Sequence, residues 1–438
     1  MRYIFLLLLI GIGIQAQIRQ LKNPNGNSDS IVVDNGGKDS VKIFKPTIQD
    51  YRYKTQFQEA KIFDTAFSVH RQYAITQYNN RDNFGKIQFA NIGSGFQNLV
   101  FQRDEETDLS LLPERKSHFI LGVKDIRYYD VKTPTTSFIY HSGMRNGAAL
   151  QSTYTQNFGK NFNLAVEYMG LRSQGFYSNS LAANNNFVAS AHYRSVNQKY
   201  EAYAHYLHQN VMNQEYGGVK SLDAFLSGES TLGNRANLEV GLTGSDSRFS
   251  YRRYYFSHSF TPFNAEKFPF RLSHTIFHQG NKYYFNLGGS DASFFEAVNT
   301  ERGNSSKKYS KKLSNTISLV FDNEKFKLDA GARYQNIILG AENPVVNTDI
   351  IAGKEISENR IGVVGNLKIS LWEQLKLQSH LEYSNGKQFG NFLRTTNWLN
   401  FEPIKDYFVE GKVAFQSSTP TFNYLLNASS IMSYNYDF

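Results

Sequence analysis

DIRYYDVKTPTTSFIYHSGMRNGAALQSTYTQNFGKNFNLAVEYMGLRSQGFYSNSLAANNNFVASAHYRSVNQKYEAYAHY, from Asp125 to Tyr206, is the stretch that decides the fold. Read with a period of two, Phe162, Leu164, Val166 and Tyr168 fall on one side. Asn163, Ala165, Glu167 and Met169 fall on the other. Just before, Leu150, Tyr154 and Phe158 oppose Gln151, Thr153, Thr155 and Asn157, and Gly159-Lys160-Asn161 joins the two arms as a tight turn joins antiparallel strands. A second hairpin sets Phe187, Ala189, Ala191 and Tyr193 before Asn197-Gln198-Lys199, with Tyr200, Ala202, Ala204 and Tyr206 after it. Each arm is about ten residues, the length a tilted strand needs to cross a bilayer. One such segment is a weak signal, but a train of them is a strong one.

The train continues to the C-terminus, with roughly fourteen arms from Thr136 onward by the period-two criterion. Arg248–Phe260, Lys311–Phe321, Phe326–Gln335, Ile361–Leu371, Leu375–Ser384 and Tyr407–Phe415 are clear examples. Short connections (Gly159–Asn161, Asn197–Lys199, Asp322–Lys325, Trp372–Gln374) alternate with long ones. The long ones are Leu171–Asn185, Gln209–Ser247, Gly288–Ser310 and Ile338–Asn359. Tight periplasmic turns and large external loops sort in this way in transmembrane barrels, whereas a soluble sandwich has no reason to sort its loops. The expected fold is therefore all-β: an antiparallel up-and-down transmembrane barrel over residues 135–438.

Upstream, MRYIFLLLLIGIGIQAQ carries one positive charge at Arg2, an apolar core from Ile4 to Ile14 and a small residue at Ala16. That is a secretory signal peptide over residues 1–16, cut between Ala16 and Gln17. Residues 17–47 are rich in Asn, Asp, Ser, Gly and Lys and read as a flexible periplasmic lead-in. Within residues 48–134, Phe57–Tyr78 alternate poorly and Asn83–Phe101 mix glycine with aromatics. Residues 48–134 read as an N-terminal region that packs at or in the barrel mouth with a few short strands.

Composition agrees with this outline. The chain of 438 residues has 28 Tyr and 35 Phe but 9 Pro, and proline cannot donate to a strand ladder. A mean hydropathy of −0.47 argues against helical spans. The formal charge of +9 is spread along the chain, with KKYSKK at Lys307–Lys312 as its one cluster and no recognition motif for nucleic acid. A basic surface facing anionic lipid head groups accounts for it more simply. With 0 Cys there are neither disulfides nor thiolate metal sites.

Several segments resemble a known family: NFGKIQFANIGSGFQNLVF at Asn83–Phe101, KDIRYYDVKTPTTSFIYHSG at Lys124–Gly143, YMGLRSQGFYSN at Tyr168–Asn179, NQEYGG at Asn213–Gly218 and RRYYFSHSF at Arg252–Phe260. They are similar to the putative porin family of Bacteroidetes outer membranes. The resemblance implies a barrel in the outer membrane of a Gram-negative cell, inserted by the barrel-assembly machinery, and it names no solute. Family chains run beyond the segment that resembles Tyr407–Phe438. TFNYLLNASSIMSYNYDF looks like an interior segment of the family, so the chain is expected to stop short of a closed barrel. The opposite expectation rests on alternate aromatics at Tyr434, Tyr436 and Phe438 and on an even strand count. Pairing of Phe422–Tyr436 with Thr136–Ser142 would decide between them.

Candidate chemistry is thin. His274 and His278 lie on a strand, where four residues separate same-face side chains by about 13 Å, too far for one ion. Gly93-Ser94-Gly95 lacks the nucleophile frame of a hydrolase and reads as a bend where backbones approach closely. No catalytic residue, metal or cofactor is expected, and the chain reads as no enzyme. The polar faces are more informative. If Phe162, Leu164, Val166, Tyr168, Leu328, Leu377 and Leu381 face lipid, then Glu167, His192, Arg194, Glu201, His205, Lys327, Asp329, Arg333, Lys376, Gln378, His380 and Glu382 line the lumen. Both signs are mixed there, which favours a solvated wall with cross-strand pairs over a selective constriction. The leading expectation is a porin-like channel for passive diffusion of small hydrophilic solutes. The alternative is a plugged barrel, serving as an energised uptake receptor or as a scaffold of a surface or secretion assembly. A surface hydrolase is a third class, for which no nucleophile and base can be placed.

Overall fold

A computed structural model describes residues 30–33, 41–63, 86–99 without 90, 116, and most of 119–435, the larger gaps being 144–146, 264–267, 299–304 and 343–353. The signal peptide with its Ala16–Gln17 cleavage point lies outside the described residues. Within residues 1–50, which form a unit of their own, β1 (Ser30–Val33) pairs antiparallel with β2 (Val41–Phe44) in the stretch read as a lead-in.

The second unit begins at Tyr51. It opens with short strands: β3 (Arg52–Lys54), β4 (Lys61–Ile62), β5 (Lys86–Gln88), β6 (Phe96–Asn98) and β7 (Tyr128–Asp130). The order β4-β3-β7 makes a three-stranded sheet, and β5 pairs with β6. Then comes one sheet of 13 strands in strict sequence order. Its members are β8 (Thr135–Gly143), β9 (Gly147–Phe158), β10 (Phe162–Ser173), β11 (Ala182–Arg194), β12 (Tyr200–Glu215), β13 (Ser245–Phe260) and β14 (Phe270–Asn286). They continue as β15 (Ser305–Asp322), β16 (Phe326–Glu342), β17 (Lys354–Leu371), β18 (Leu375–Asn385), β19 (Phe392–Ile404) and β20 (Tyr407–Ser417). All neighbours are antiparallel, so the up-and-down sheet stands with 13 strands in place of the expected fourteen.

Among the described residues, the arm that is missing is the last one. Phe422–Leu425 forms a single helical turn, and β21 (Leu426–Ala428) pairs with β22 (Ser433–Asn435), not with β8. Phe422, Leu425 and Leu426 are buried against the hydrophobic cluster formed on one side of the sheet. Among the described residues β8 and β20 are edge strands, so the barrel is not closed.

The hairpins follow their turn chemistry. Gly159 takes φ +70° between β9 and β10, and Gln198, Trp372 and Asp406 also adopt positive φ in tight turns. At the other end the strands outgrow their sequence signal. β15 and β17 reach 18 residues each, well past the roughly 9–11 that a bilayer requires. The longest of the connections described, between β12 and β13, holds a short helix, Leu222–Leu226, whose N-cap Ser221 accepts a hydrogen bond from the Ala224 amide.

Candidate functional site

Register assigns every strand residue to a face, because directly paired residues project to the same side. One row reads Glu167, Val188, Leu207, Arg253, Gln279, Lys312, Ile337, Glu358 across β10 to β17. One residue over, the adjacent row on the opposite face reads Val166, Ala189, Tyr206, Tyr254, His278, Leu313, Asn336, Asn359. The first face packs against Phe119, Ile120, Ile126 and Tyr128 of the N-terminal region and is called inner here. The other keeps large apolar side chains in the open, among them Phe138, Tyr254, Phe256, Ile317, Ile361 and Val413.

Glu167, His192, Glu201, His205, Asp329, Arg333, Lys376, Gln378, His380 and Glu382 lie on the inner face, together with Arg194 and Lys327. Phe162, Leu164, Val166, Tyr168, Leu328, Leu377 and Leu381 lie on the outer one. The inner residues divide into two groups. On β10–β13 they meet the N-terminal region. Glu201 accepts from Lys54 Nζ at 2.8 Å and from the Tyr203 hydroxyl at 2.8 Å, and its Oε1 lies 2.9 Å from His192 Nε2. His205 Nδ1 lies 2.8 Å from the Tyr128 hydroxyl, and Arg253 Nε donates to His205 Nε2 at 2.9 Å. Glu167 faces Arg127 and Tyr129.

On β16–β18 the inner side chains pair with one another. Arg333 bonds Glu382 and donates to Thr316 Oγ1 at 3.1 Å. His380 Nδ1 lies 2.8 Å from Asn366 Oδ1, and Lys327 pairs with Asp322 at 2.6 Å. Lys376 and Gln378 are exposed.

Residues that period-two reading passed over do most of the anchoring. The Gln209 side chain donates to the Phe119 carbonyl at 3.0 Å and accepts from the Leu121 amide at 2.9 Å, as a strand partner would. Arg253, 2% exposed, also donates to the Leu121 carbonyl at 3.0 Å. Gln56 accepts from the Tyr255 hydroxyl at 2.6 Å and donates to Ser257 at 2.9 Å. Asn91 Nδ2 donates to the carbonyls of Ser173 and Ser180 at 3.0 and 2.6 Å. The Gly93 carbonyl receives Asn184 and Asn213 at 2.9 and 3.2 Å. Gly93 has φ +84°, and a Cβ there would stand 2.2 Å from Leu171 Cδ2, so the bend read at Gly93-Ser94-Gly95 is a close approach of the N-terminal region to the wall. The pattern Lys116 to Ser247 Oγ, 2.6 Å, completes the seam. Burial lowers the Lys116 ammonium to about 8, against the pull of Glu215 and Asp246. The one signal that could have found these groups is the inner-face phase itself, which places Gln209 and Arg253 beside Glu201 and His205.

His274 and His278 share the outer face of β14, and His274 lies 3.1 Å from His258 of the preceding strand β13, not against His278. Among the described residues no three His, Asp or Glu side chains gather as a metal site. No helix among them is long and apolar enough to cross a membrane, which says nothing of strands that cross one.

A consecutive antiparallel sheet with an apolar outer face and a polar, occupied inner face is the plan of an outer-membrane β-barrel protein. The chain belongs to the putative porin family, whose family model matches residues 47–438, and its place is the outer membrane of a Gram-negative cell. No curated protein matches its sequence. Solved structures similar in fold include the ferric-catecholate import receptor Fiu of E. coli K12 in its closed form, at 10% identity and TM-score 0.40, with 65% of this chain and 46% of that one covered. The siderophore receptor PiuA of Acinetobacter baumannii matches at 11% identity and TM-score 0.39, covering 65% and 46%. The ferric citrate transporter FecA in its unliganded form matches at 9% identity and TM-score 0.45, covering 64% and 43%. The chain spans less than half the length of each.

Proposed function

We propose that the protein is a porin-like passage for small hydrophilic solutes in which the described residues between 51 and 130 act as a resident plug on the inner face. The outer face then lies in lipid and the inner polar residues meet water wherever the plug leaves them open. The observation that carries this is the Gln209 clamp on Phe119 and Leu121, made from the wall to the main chain of the N-terminal region. Its neighbours at Asn91, Gln56 and Lys54 extend the seam over β10–β13. Main-chain anchoring of this kind fixes a segment in place, whereas a merely collapsed loop would leave such groups to water. The partners are outer-membrane lipid, the solutes in transit and the barrel-assembly machinery that inserts the chain. No nucleic acid, cofactor or covalent chemistry belongs to the reading, and the protein is not an enzyme.

The same seam favours a second reading, an energised uptake receptor or assembly scaffold whose plug is moved by another protein. Planar-bilayer recording separates the two. Steady low conductance that rises when the seam is loosened supports the plug-restricted passage. Silence in the parent and in loosened variants alike supports the receptor or scaffold. A parent conductance that seam variants leave unchanged overturns the role given to the plug.

A further inference from the structure

The outer face of β13–β15 carries five basic residues at the long-connection end, and register fixes their pattern. Arg248 and Arg252 stand on β13, Lys282 on β14, and Lys307 and Lys311 on β15. Arg252 pairs with Gly280 and Gly280 with Lys311, while Arg248 pairs with Tyr284 and Tyr284 with Lys307. Lys282 pairs with Ser250 on one side and Tyr309 on the other, so it occupies the centre of the other four. Strand spacing and rise make this a rectangle of roughly 10 by 13 Å at the Cα level.

Three details shape it as a cradle. Tyr309 lies between Lys307 and Lys311, whose Nζ atoms are 5.1 and 5.5 Å from its ring centre. Arg248 lies 4.7 Å over the ring of Tyr284. Gly280, between Arg252 and Lys311, has open space where a Cβ would be. Among the described residues acidic company on this face stands at its edges: Asp246, two residues before Arg248 on β13, which accepts from Asn286 at 3.1 Å; Glu355, which accepts from the Tyr309 hydroxyl at 2.6 Å; and Glu342 at the register position of Lys307.

Directly toward the short-turn end the same face opens into an apolar groove of about 480 Å³. Ala189, Ala191 and Ala204 form its low floor, and Leu164, Tyr206 and Tyr254 stand around it. Tyr254 lies on the same strand and face as Arg252, two residues away, so cradle and groove are continuous. Long connections face the cell exterior in outer-membrane barrels, which puts the cations at head-group level and the groove at acyl-chain level of the outer leaflet.

We propose that this face is a binding site for a phosphate-bearing lipid of the outer leaflet, with the five cations holding phosphate and the alanine-floored groove holding an acyl chain. Phosphate suits a mixed Arg and Lys set, since guanidinium binds it bidentately and ammonium as a point charge. A soluble anion would use the cradle but not the groove. The site rests on the outer face lying in lipid, and the experiment reads that separately.

With 2 Trp in the chain, replacing Trp372 and Trp398 by Phe and introducing Tyr254→Trp puts one fluorophore at the junction. The protein is reconstituted in phosphatidylcholine vesicles containing brominated phosphatidylcholine or brominated phosphatidic acid. Quenching by both, with phosphatidic acid favoured about tenfold at low salt, is the expected result. The preference should fall about fivefold in Lys282→Gln and, as a separate single variant, about fivefold in Lys311→Gln. It should weaken as salt rises and persist in Lys376→Gln on the inner face. Equal quenching by the two lipids overturns the site while leaving the outer face in lipid. Absence of quenching by either overturns both.

Discussion

Replacing Gln209 by Leu tests the plug at its most specific contact. The side chain is 3% exposed and makes two hydrogen bonds, 3.0 Å to the Phe119 carbonyl and 2.9 Å from the Leu121 amide. Leucine nearly matches glutamine in shape, so packing is largely kept and the polar groups are isolated as the variable. If water replaced the lost partners, the change would cost about 0.5–1.5 kcal/mol per bond. Here both partners are main-chain groups in a covered seam, and each group left unsatisfied costs about 1–3 kcal/mol. Added apolar burial offsets about 1 kcal/mol. The net expectation is a loss of about 1–5 kcal/mol from docking of the N-terminal region, or roughly 5- to 5000-fold in the fraction undocked. Hydrogen exchange of the Leu121 amide in the reconstituted protein reads this directly, alongside bilayer conductance. Exchange within about threefold of the parent would show that the clamp is an incidental contact and would remove the main support for a seated plug.

Other perturbations probe different parts of the structure. Leu164→Arg on the outer face should lower stability in bilayers by about 2–4 kcal/mol if it sits near the midplane, and urea titration of the folded protein that shows no loss would refute the lipid-facing assignment. Lys116 has its pKa lowered by burial to about 8 in the folded state against 10.5 unfolded, so unfolding takes up a proton between these values. Stability should therefore rise from pH 8 to pH 10.5, and Lys116→Met should abolish that rise in pH-resolved denaturation. Burial opposes ionisation of Asp291, but hydrogen bonds from Ser245, Thr243 and Gly244 outweigh it and hold the carboxyl at about 2. That contribution is complete above about pH 4 and is lost as pH falls toward 2; Asp291→Asn should flatten the acid limb, and an unchanged limb would refute it.

Which residues share a face could be read from the sequence because apolar and polar side chains alternate along the strands, so Leu164 against Glu167 or Leu377 against Lys376 carries the phase. Strand ends could not be read so well. SSKKYS at the start of β15 and KEISENR at the start of β17 are polar on both faces, and without contrast the period vanishes. Those residues still belong to the ladder, since pairing depends on main-chain groups that every residue has. The seam was hidden for another reason. Asn91 meets Ser173 and Gln56 meets Ser257 across 82 and 201 residues, and nothing local to either partner announces the other. The C-terminal residues misled for a third reason, because Phe422, Leu425 and Leu426 supply apolar weight as readily to a packed turn as to a strand.

On the proposed reading, the two halves of the inner face would have different roles. On β10–β13 the inner face is spent on the N-terminal region: His205 and Arg253 are buried, and Glu201 is bonded to Lys54. On β16–β18 the same face leaves Lys327, Lys376 and Gln378 exposed, with Arg333 and Glu382 paired beside them. If the proposed plug sits on one part of the wall, solute would pass along the other, where both signs of charge are present. Weak selectivity between small anions and cations follows from such a mixture, because neither ion meets a ring of like sign. Removing the exposed cation in Lys376→Gln should therefore shift the reversal potential toward cations, whereas Arg253→Met under the plug should alter conductance before it alters selectivity. Equal effects of the two substitutions on selectivity would mean that solute passes through the seam itself.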